Sequence, residues 1–384
     1  MRVLQNIINV FFSILVFFIL FNIILALVWE IRTTYKLKNL KPYSDEVLKI
    51  LDLNEEEGLS LYLETWINRK YEYDQFVEWR EQETPSQQFV NVSDEFGRKV
   101  EGNDNCEKSF YFYGGSTTFG YNVTDYQTIP SYFKKIIDLN YSDKNYCVYN
   151  FGRAGFASPW ENILFQKHLS NKKINQGDFI FFIDGINERG NADGINSKFF
   201  YESQKTLTRK YWDIYKPTMS LFFQSIPMMQ LVTRIQQKNR TPEIFNCNDN
   251  ELVASINYEF QCHSIKNVQQ VLQHNVNIRK AICEDQNLNC YTFIQPFSLV
   301  HGKYFEKYEK SEAIETGRIK DYESFKFRQK RIFDELIKTQ NVIDISVSLN
   351  NATELSYVDR SHYSPQASQA ISEYIYSVVK KDIK

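Results

Sequence analysis

The chain has 384 residues, with 45 Lys and Arg against 47 Asp and Glu, a net charge of −2 and an aromatic content of 16%. That length and apolar content suffice for a large core and exclude a disordered or low-complexity chain. The near-neutral balance, with no basic block, excludes nucleic acid as the main partner, because phosphate binding depends on Lys and Arg that displace condensed counterions.

The first element is a run from Val3 to Trp29 without a charged residue, broken from Val10 onward only by Ser13 and Asn22. About 20 apolar residues cross about 30 Å of hydrocarbon, so the run predicts one transmembrane helix with Trp29 at the interface. A cleaved signal peptide is the rival, but its apolar region is about 7 to 15 residues long and ends in a small-x-small site. Leu25, Leu27 and Val28 surround Ala26, so residues 1–30 are read as an uncleaved signal anchor. Arg32, Lys36, Lys38 and Lys41 follow the span, which by the positive-inside rule would leave the remainder in the cytoplasm. The six cysteines, at 106, 147, 247, 262, 283 and 290, point the other way. They are even in number and contain no CxxC pair, and Cys283 and Cys290 flank a short polar loop suited to a disulfide. The expectation is a single-pass membrane protein whose soluble part lies outside the cytoplasm, periplasmic or extracellular. Sequons begin at Asn91, Asn122, Asn140, Asn239 and Asn351 and matter only in a eukaryotic secretory pathway.

Residues 31–105 are polar and charged, with a helix expected near Ser44–Lys70, and read as a stalk or linker that partly packs on the main domain. From Ser109 short apolar runs end in Gly-containing turns and pass into helical periodicity, the pattern of a parallel sheet flanked by helices. Strands are predicted at Phe110–Tyr113, Cys147–Phe151, Phe179–Asp184, Tyr291–Gln295 and Val342–Ile345. Helices are predicted at Pro130–Asp138, Pro159–Ser170, Ser264–Gln286, Tyr322–Thr339 and Pro365–Lys381. The predicted fold is a flavodoxin-like α/β/α sandwich with a five-stranded parallel sheet over residues 106–384. An insertion at about 190–263, which includes the aromatic-rich stretch Tyr211–Gln237, is too long for a simple crossover and is read as a cover over the site, a membrane contact or an extra helical pair.

In an open parallel sheet, ligands bind outside the carboxyl ends of the strands. Four clusters fall there. The first strand ends in Gly114-Gly115-Ser116-Thr117, where glycines let the chain turn so that the Ser116 hydroxyl projects at the lip. The second is followed by Gly152-Arg153-Ala154-Gly155, which permits a backbone N–H to approach a ligand oxygen. After the third comes Asp184-Gly185-Ile186-Asn187-Glu188, whose Asn187 amide can point a donor at a developing oxyanion. Before the last helix stands Asp359-Arg360-Ser361-His362, a spacing that lets one loop present a histidine and the carboxylate that fixes its tautomer. Taken singly, these are equally an N-cap serine, a structural glycine turn, a turn asparagine and a surface histidine.

In their order along the chain the four clusters resemble the SGNH (GDSL-type) hydrolase family, in the branch whose nucleophile block reads Gly-Gly-Ser-Thr. The resemblance spans about Ser109–Lys384. It implies Ser116 as nucleophile, His362 as base and Asp359 as its orienting partner, with the backbone N–H groups of Ser116 and Gly155 and the Asn187 side chain as oxyanion donors. Two departures stand out: Gly115 where many members carry Asp, and Glu188 where Asp is usual. His168, His263, His274 and His301 lack an acid at useful spacing and are assigned to structure, and no metal or other cofactor is expected. The functional expectation is a serine esterase that removes an O-acyl group, from an envelope or extracellular glycan. The alternatives are a glycan O-acyltransferase using the same acyl-enzyme, and a non-catalytic glycan-binding or assembly subunit. The sequence leaves the oligomeric state open.

Overall fold

In the computed structural model of the chain, residues 2–38, 40–103, 106–188, 226–227, 251–256, 259–303 and 322–383 are described. Helix α1 (Arg2–Lys38) contains the segment Ile8–Arg32, which is long and apolar enough to cross a membrane as an anchor or to act as a signal sequence.

A compact unit begins at Pro42, well before the boundary at residue 105 that the polar composition suggests. It opens with two helices, α2 (Asp45–Leu51) and α3 (Glu55–Tyr62), where one helix is predicted. The break is local: Asp52 adopts φ 57°, and Asn54 starts α3 through a capping box with Glu57. Helix α3 then widens into a π turn, Leu63–Ile67. The buried Glu64 carboxylate of that turn accepts the backbone N–H groups of Gln88, Phe89 and Val90 at 3.1, 2.8 and 2.9 Å. An antiparallel hairpin follows, β1 (Tyr71–Asp74) with β2 (Glu78–Glu81), and after it the short antiparallel pair β3 (Val92–Ser93) and β4 (Gly97–Arg98).

The long strands are β5 (Lys108–Gly114), β6 (Tyr146–Gly152) and β7 (Phe179–Asp184). A separate hairpin, β8 (Glu251–Ile256) with β9 (Glu259–Ser264), precedes β10 (Asn289–Ile294) and β11 (Ile343–Asp344). Among the described residues the main sheet has the order β11-β10-β7-β5-β6-β4-β3. Its five long-range strands β5, β6, β7, β10 and β11 are parallel, and in chain order they run 2-1-3-4-5, the flavodoxin-like arrangement. The sheet is therefore seven strands wide rather than five. Both extra strands come from the segment expected to be a stalk, and two-residue strands carry no alternation that a sequence pattern can reveal.

A single turn not predicted, α4 (Ser116–Phe119), follows β5, and helices α5 (Ile129–Asn140), α6 (Ser158–Ser170), α7 (Ile265–Asp285), α8 (Tyr322–Leu336) and α9 (Pro365–Val379) fall much where the periodicity predicts them. Strand residues alternate between two cores. Phe110, Phe112 and Phe181 pack with Phe133 of α5 and Ile371 and Ile375 of α9, while Tyr111, Tyr113 and Phe182 pack with Trp160, Leu164 and Phe165 of α6. Apolar side chains are needed on both faces, which is why these strands read as unbroken apolar runs. The insertion at 190–263 lies almost wholly outside the described residues. Cys283 pairs with Cys290 across a Cα–Cα distance of 6.1 Å, as its loop predicts, and Cys106 pairs with Cys147 between the starts of β5 and β6. Cys247 and the side chain of Cys262 lie outside the described residues. Asn91 and Asn122 are only 8% and 2% exposed, so the folded chain presents neither sequon for glycosylation.

The N-terminal segment builds a third core, in which Tyr43, Leu51, Leu61 and Val90 meet Phe119 and Val358. Its polar counterpart is Arg98, fully buried on β4. The guanidinium donates to Asp125 Oδ1 at 3.0 Å, to the carbonyl oxygens of Phe119 (3.0 Å) and Val123 (2.6 Å), and to that of Gly120. One side chain thus holds the whole loop 119–125. Removing one member of a buried ion pair leaves the other uncompensated and costs about 3–5 kcal/mol. Arg98→Ala should lower the unfolding free energy of the full chain in detergent by that order, measured by denaturant titration; a loss below about 1 kcal/mol would overturn the clamp.

Candidate active site

In register, Gly114 of β5 lies opposite Gly152 of β6 and Ile183 of β7, so the loops after the three strands emerge along one edge. The chain reverses its direction of sheet growth between β5 and β7, which is where open α/β sheets form their ligand crevice. Ser116 begins α4 directly after the turn at Gly114-Gly115. Its Oγ lies 2.9 Å from His362 Nε2, and His362 Nδ1 lies 2.6 Å from Asp359 Oδ2. The loop 359–364 is fixed by α9, whose N-cap Ser364 accepts the Ala367 N–H.

Asp359 is a heavily bonded carboxylate. Oδ1 accepts the backbone N–H groups of Ser361 and His362, both at 2.8 Å, and Oδ2 accepts the Asn122 amide at 2.6 Å as well as the imidazole. Burial pushes its carboxyl up, but His362 and these hydrogen bonds outweigh that and hold it below the usual carboxylate range. An ionised carboxylate is an acceptor only, so the Nδ1 of His362 carries the proton and the Nε2 lone pair faces the Ser116 hydroxyl. The arrangement can remove a proton from Ser116 as its oxygen attacks an electrophilic carbon.

Asn122 is a member that no motif marks beyond its sequon. Its backbone is left-handed, φ 62°, a region that asparagine tolerates. Its Oδ1 accepts Trp66 Nε1–H at 2.6 Å and the Tyr43 hydroxyl at 2.8 Å. An indole N–H only donates, which fixes the amide with Nδ2 toward Asp359. The rings of Tyr121 and Trp66 enclose the imidazole, with centroids 5.1 and 5.8 Å from it.

On the other side of Ser116 stand Gly155 and Asn187. Gly155 has φ +71° with open space where a Cβ would be, so the backbone conformation alone requires glycine. Its loop is braced by the hairpin: Arg153 Nη1 donates to Asp74 and to the Trp79 carbonyl, Trp79 Nε1 to the Ala154 carbonyl, and the Ala154 N–H to Glu81. Asn187 Nδ2 donates to the Phe156 carbonyl at 2.7 Å. A Cβ at Gly115 would come within 2.2 Å of that same nitrogen, so a larger residue there would displace the Asn187 amide. The structure thus brings Ser116, Asp359 and His362 together, with Asn187 and Gly155 at the same sheet edge. His168 is buried against Tyr113, and burial pushes its imidazole well below its ordinary range. His301 accepts the Phe297 N–H, His274 lies exposed on α7, and the His263 side chain is outside the described residues. Among the described residues no group of three or more His, Cys, Asp or Glu is arranged to hold a metal ion.

Glu188 anchors the Asn187 loop. Its carboxyl accepts Ser158 N–H at 2.7 Å and pairs with the Ser158 hydroxyl at 2.8 Å, tying the turn after β7 to the start of α6. Behind it, Asp184 and Glu161 share the single guanidinium of Arg279. One cation cannot neutralise three buried carboxylates. Burial first, and the Asp184 charge second, push Glu188 up to about 8 and drive Glu161 up as well.

No family model and no curated protein matches the sequence. Solved structures similar to it include LAE5, an alpha/beta hydrolase enzyme from the metagenome of Lake Arreo in Spain. It shares 9% identity with a TM-score of 0.38, over 73% of this chain and 98% of that one. A catalytic mutant of Axe2, an acetylxylan esterase from Geobacillus stearothermophilus, shares 12% identity with a TM-score of 0.35, over 72% of this chain and 95% of that one.

The Glu188 carboxyl generates a prediction with a definite sign. Native Glu188 keeps its proton up to about pH 8, whereas the unfolded chain releases it near pH 4.3. The native state therefore holds more protons across that interval, and stability falls as pH rises through it, levelling off above. Glu188→Gln should flatten part of this fall and stabilise the protein at pH 8 by on the order of 2 kcal/mol relative to its difference at pH 5. Thermal unfolding of both proteins across that range checks it; parallel curves would refute the proton on Glu188.

Proposed function

We propose that the chain is a serine ester hydrolase of the SGNH type, with the unit from Pro42 onward as its catalytic body. The observation that carries this reading is the continuous hydrogen-bonded line from Asp359 through His362 to the Ser116 hydroxyl at the β5/β7 crevice. In this reading Ser116 Oγ attacks the acyl carbon while His362 Nε2 takes its proton. The oxyanion is received by the backbone N–H groups of Ser116 and Gly155 and by the Asn187 amide. Collapse of the tetrahedral adduct breaks the ester C–O bond, and His362 returns the proton to the departing alcohol. Water, deprotonated by the same imidazole, then cleaves the acyl-enzyme and regenerates Ser116.

The substrate is read as an O-acyl ester on an envelope or extracellular glycan, reached by a body tethered through α1. Two disulfides support an oxidising compartment outside the cytoplasm. A fluorophosphonate probe should label the full-length protein at Ser116 and fail to label Ser116→Ala; labelling that persists in the variant would refute the nucleophile. With a small acetyl ester, Asn187→Ala should lose about 100- to 1,000-fold in kcat with little change in KM, because the donor acts on charge that develops only in the transition state. Asp359→Asn should lose about 10,000-fold while the fold persists, since an amide holds the imidazole in the wrong tautomer. Parent rates in both variants would leave only a binding role for the site.

A further inference from the structure

If Ser116 and His362 cleave an ester, as proposed above, the geometry also dictates which half of the ester meets which wall. The imidazole hands its proton to the departing oxygen, so the alcohol half must lie on the His362 side and the acyl carbonyl on the Asn187 side. The His362 side is aromatic. Tyr121 stacks on the imidazole and is buried, but Trp66, edge-on to the same ring, is 43% exposed. Tyr71, whose hydroxyl is 2.7 Å from that of Tyr121, is 50% exposed.

A single exposed aromatic needs no explanation, but Trp66 is a fixed one. The indole N–H is bonded to Asn122, the ring packs 4.9 Å from Tyr121, and the π turn that carries it is pinned through Glu64. π turns are rare and are found frequently at functional sites. The surface is open: its rings are about half exposed and rimmed by the Tyr71 hydroxyl. An aliphatic alcohol would instead call for an enclosed apolar channel. A pyranose ring has one apolar C–H face and a rim of hydroxyls, the complement of such a platform.

We propose that Trp66, with Tyr71, forms the platform for the alcohol half of the substrate, and that this alcohol is a sugar ring. The subsite is contributed by the N-terminal segment rather than by the sheet. Trp66→Phe and Trp66→Ala isolate the ring, because both lose the bond to Asn122 and only the first keeps an aromatic face. Full-length protein in detergent would be assayed with an O-acetylated xylo-oligosaccharide and with ethyl acetate, which has the same acyl group and no ring. The two variants should match on ethyl acetate, while Trp66→Ala should fall about tenfold below Trp66→Phe in kcat/KM on the sugar ester, mainly through KM. Equal values on the sugar ester would overturn the platform and leave the esterase reading untouched. Trp66-dependent preference for a long-chain alkyl acetate over the sugar ester would overturn the sugar in favour of a lipid alcohol. If the parent cleaves neither ester, the esterase reading fails on its own, and calorimetric titration of the same oligosaccharide into each Trp66 variant decides the platform. Binding about tenfold weaker in the Ala variant than in the Phe variant sustains it, and equal or absent binding overturns it.

Discussion

The amide of Asn122 joins two parts of the chain that no local pattern connects. On one side its oxygen is the acceptor for Tyr43 and Trp66, and on the other its nitrogen is a donor to Asp359. Turned the other way, it would set its oxygen against a carboxylate and leave buried donors orphaned, at about 1–3 kcal/mol each. The orientation of the amide orders Asp359, Asp359 orders the imidazole, and the imidazole orders the Ser116 hydroxyl. Arg98 supports the same chain from below by gripping the carbonyls around Asn122. The N-terminal wall is consequently part of the geometry of the candidate site.

A second arm has a different physical basis. Asn187 is held by the loop that follows β6, and that loop by the β1–β2 hairpin, through the Arg153–Asp74 ion pair and hydrogen bonds to Trp79 and the Glu81 carboxylate. Beneath it, Asp184, Glu161 and Glu188 crowd around Arg279, so the floor under Asn187 carries protons that the unfolded chain would release. Rigidity there is obtained from charge burial, which makes it sensitive to pH, whereas the Asn122 arm is made of contacts that do not titrate in the neutral range.

What could be read in the sequence follows from these differences. Strands β5, β6, β7 and β10 are buried on both faces and show it as apolar runs, and their loops carry Gly, Ser, Asn and His in a recognisable order. Ser116, Asn187, Asp359 and His362 were therefore legible. Asn122, Trp66, Tyr43 and Arg98 were not, because each acts over a long sequence separation from a short element: a π turn, a left-handed residue or a two-residue strand. The polar composition of residues 42–103 is compatible with partial packing on the main domain but does not disclose the extent of the wall, since its core is assembled from single residues such as Tyr43, Leu61 and Val90, each set against the sheet domain.

His362 follows Ser116 by 246 residues, and its loop is positioned only once α9 has docked on α5. During synthesis Ser116 is thus made 246 residues before His362, and until then its hydroxyl has no imidazole partner. The Ser116–His362 contact therefore depends on the packing of α9 against α5. A chain clipped before residue 362 lacks both the imidazole and the α9 side chains Ile371, Ile375 and Val379 that complete one core of the sheet, so the docking that buries this core is also what brings His362 to Ser116.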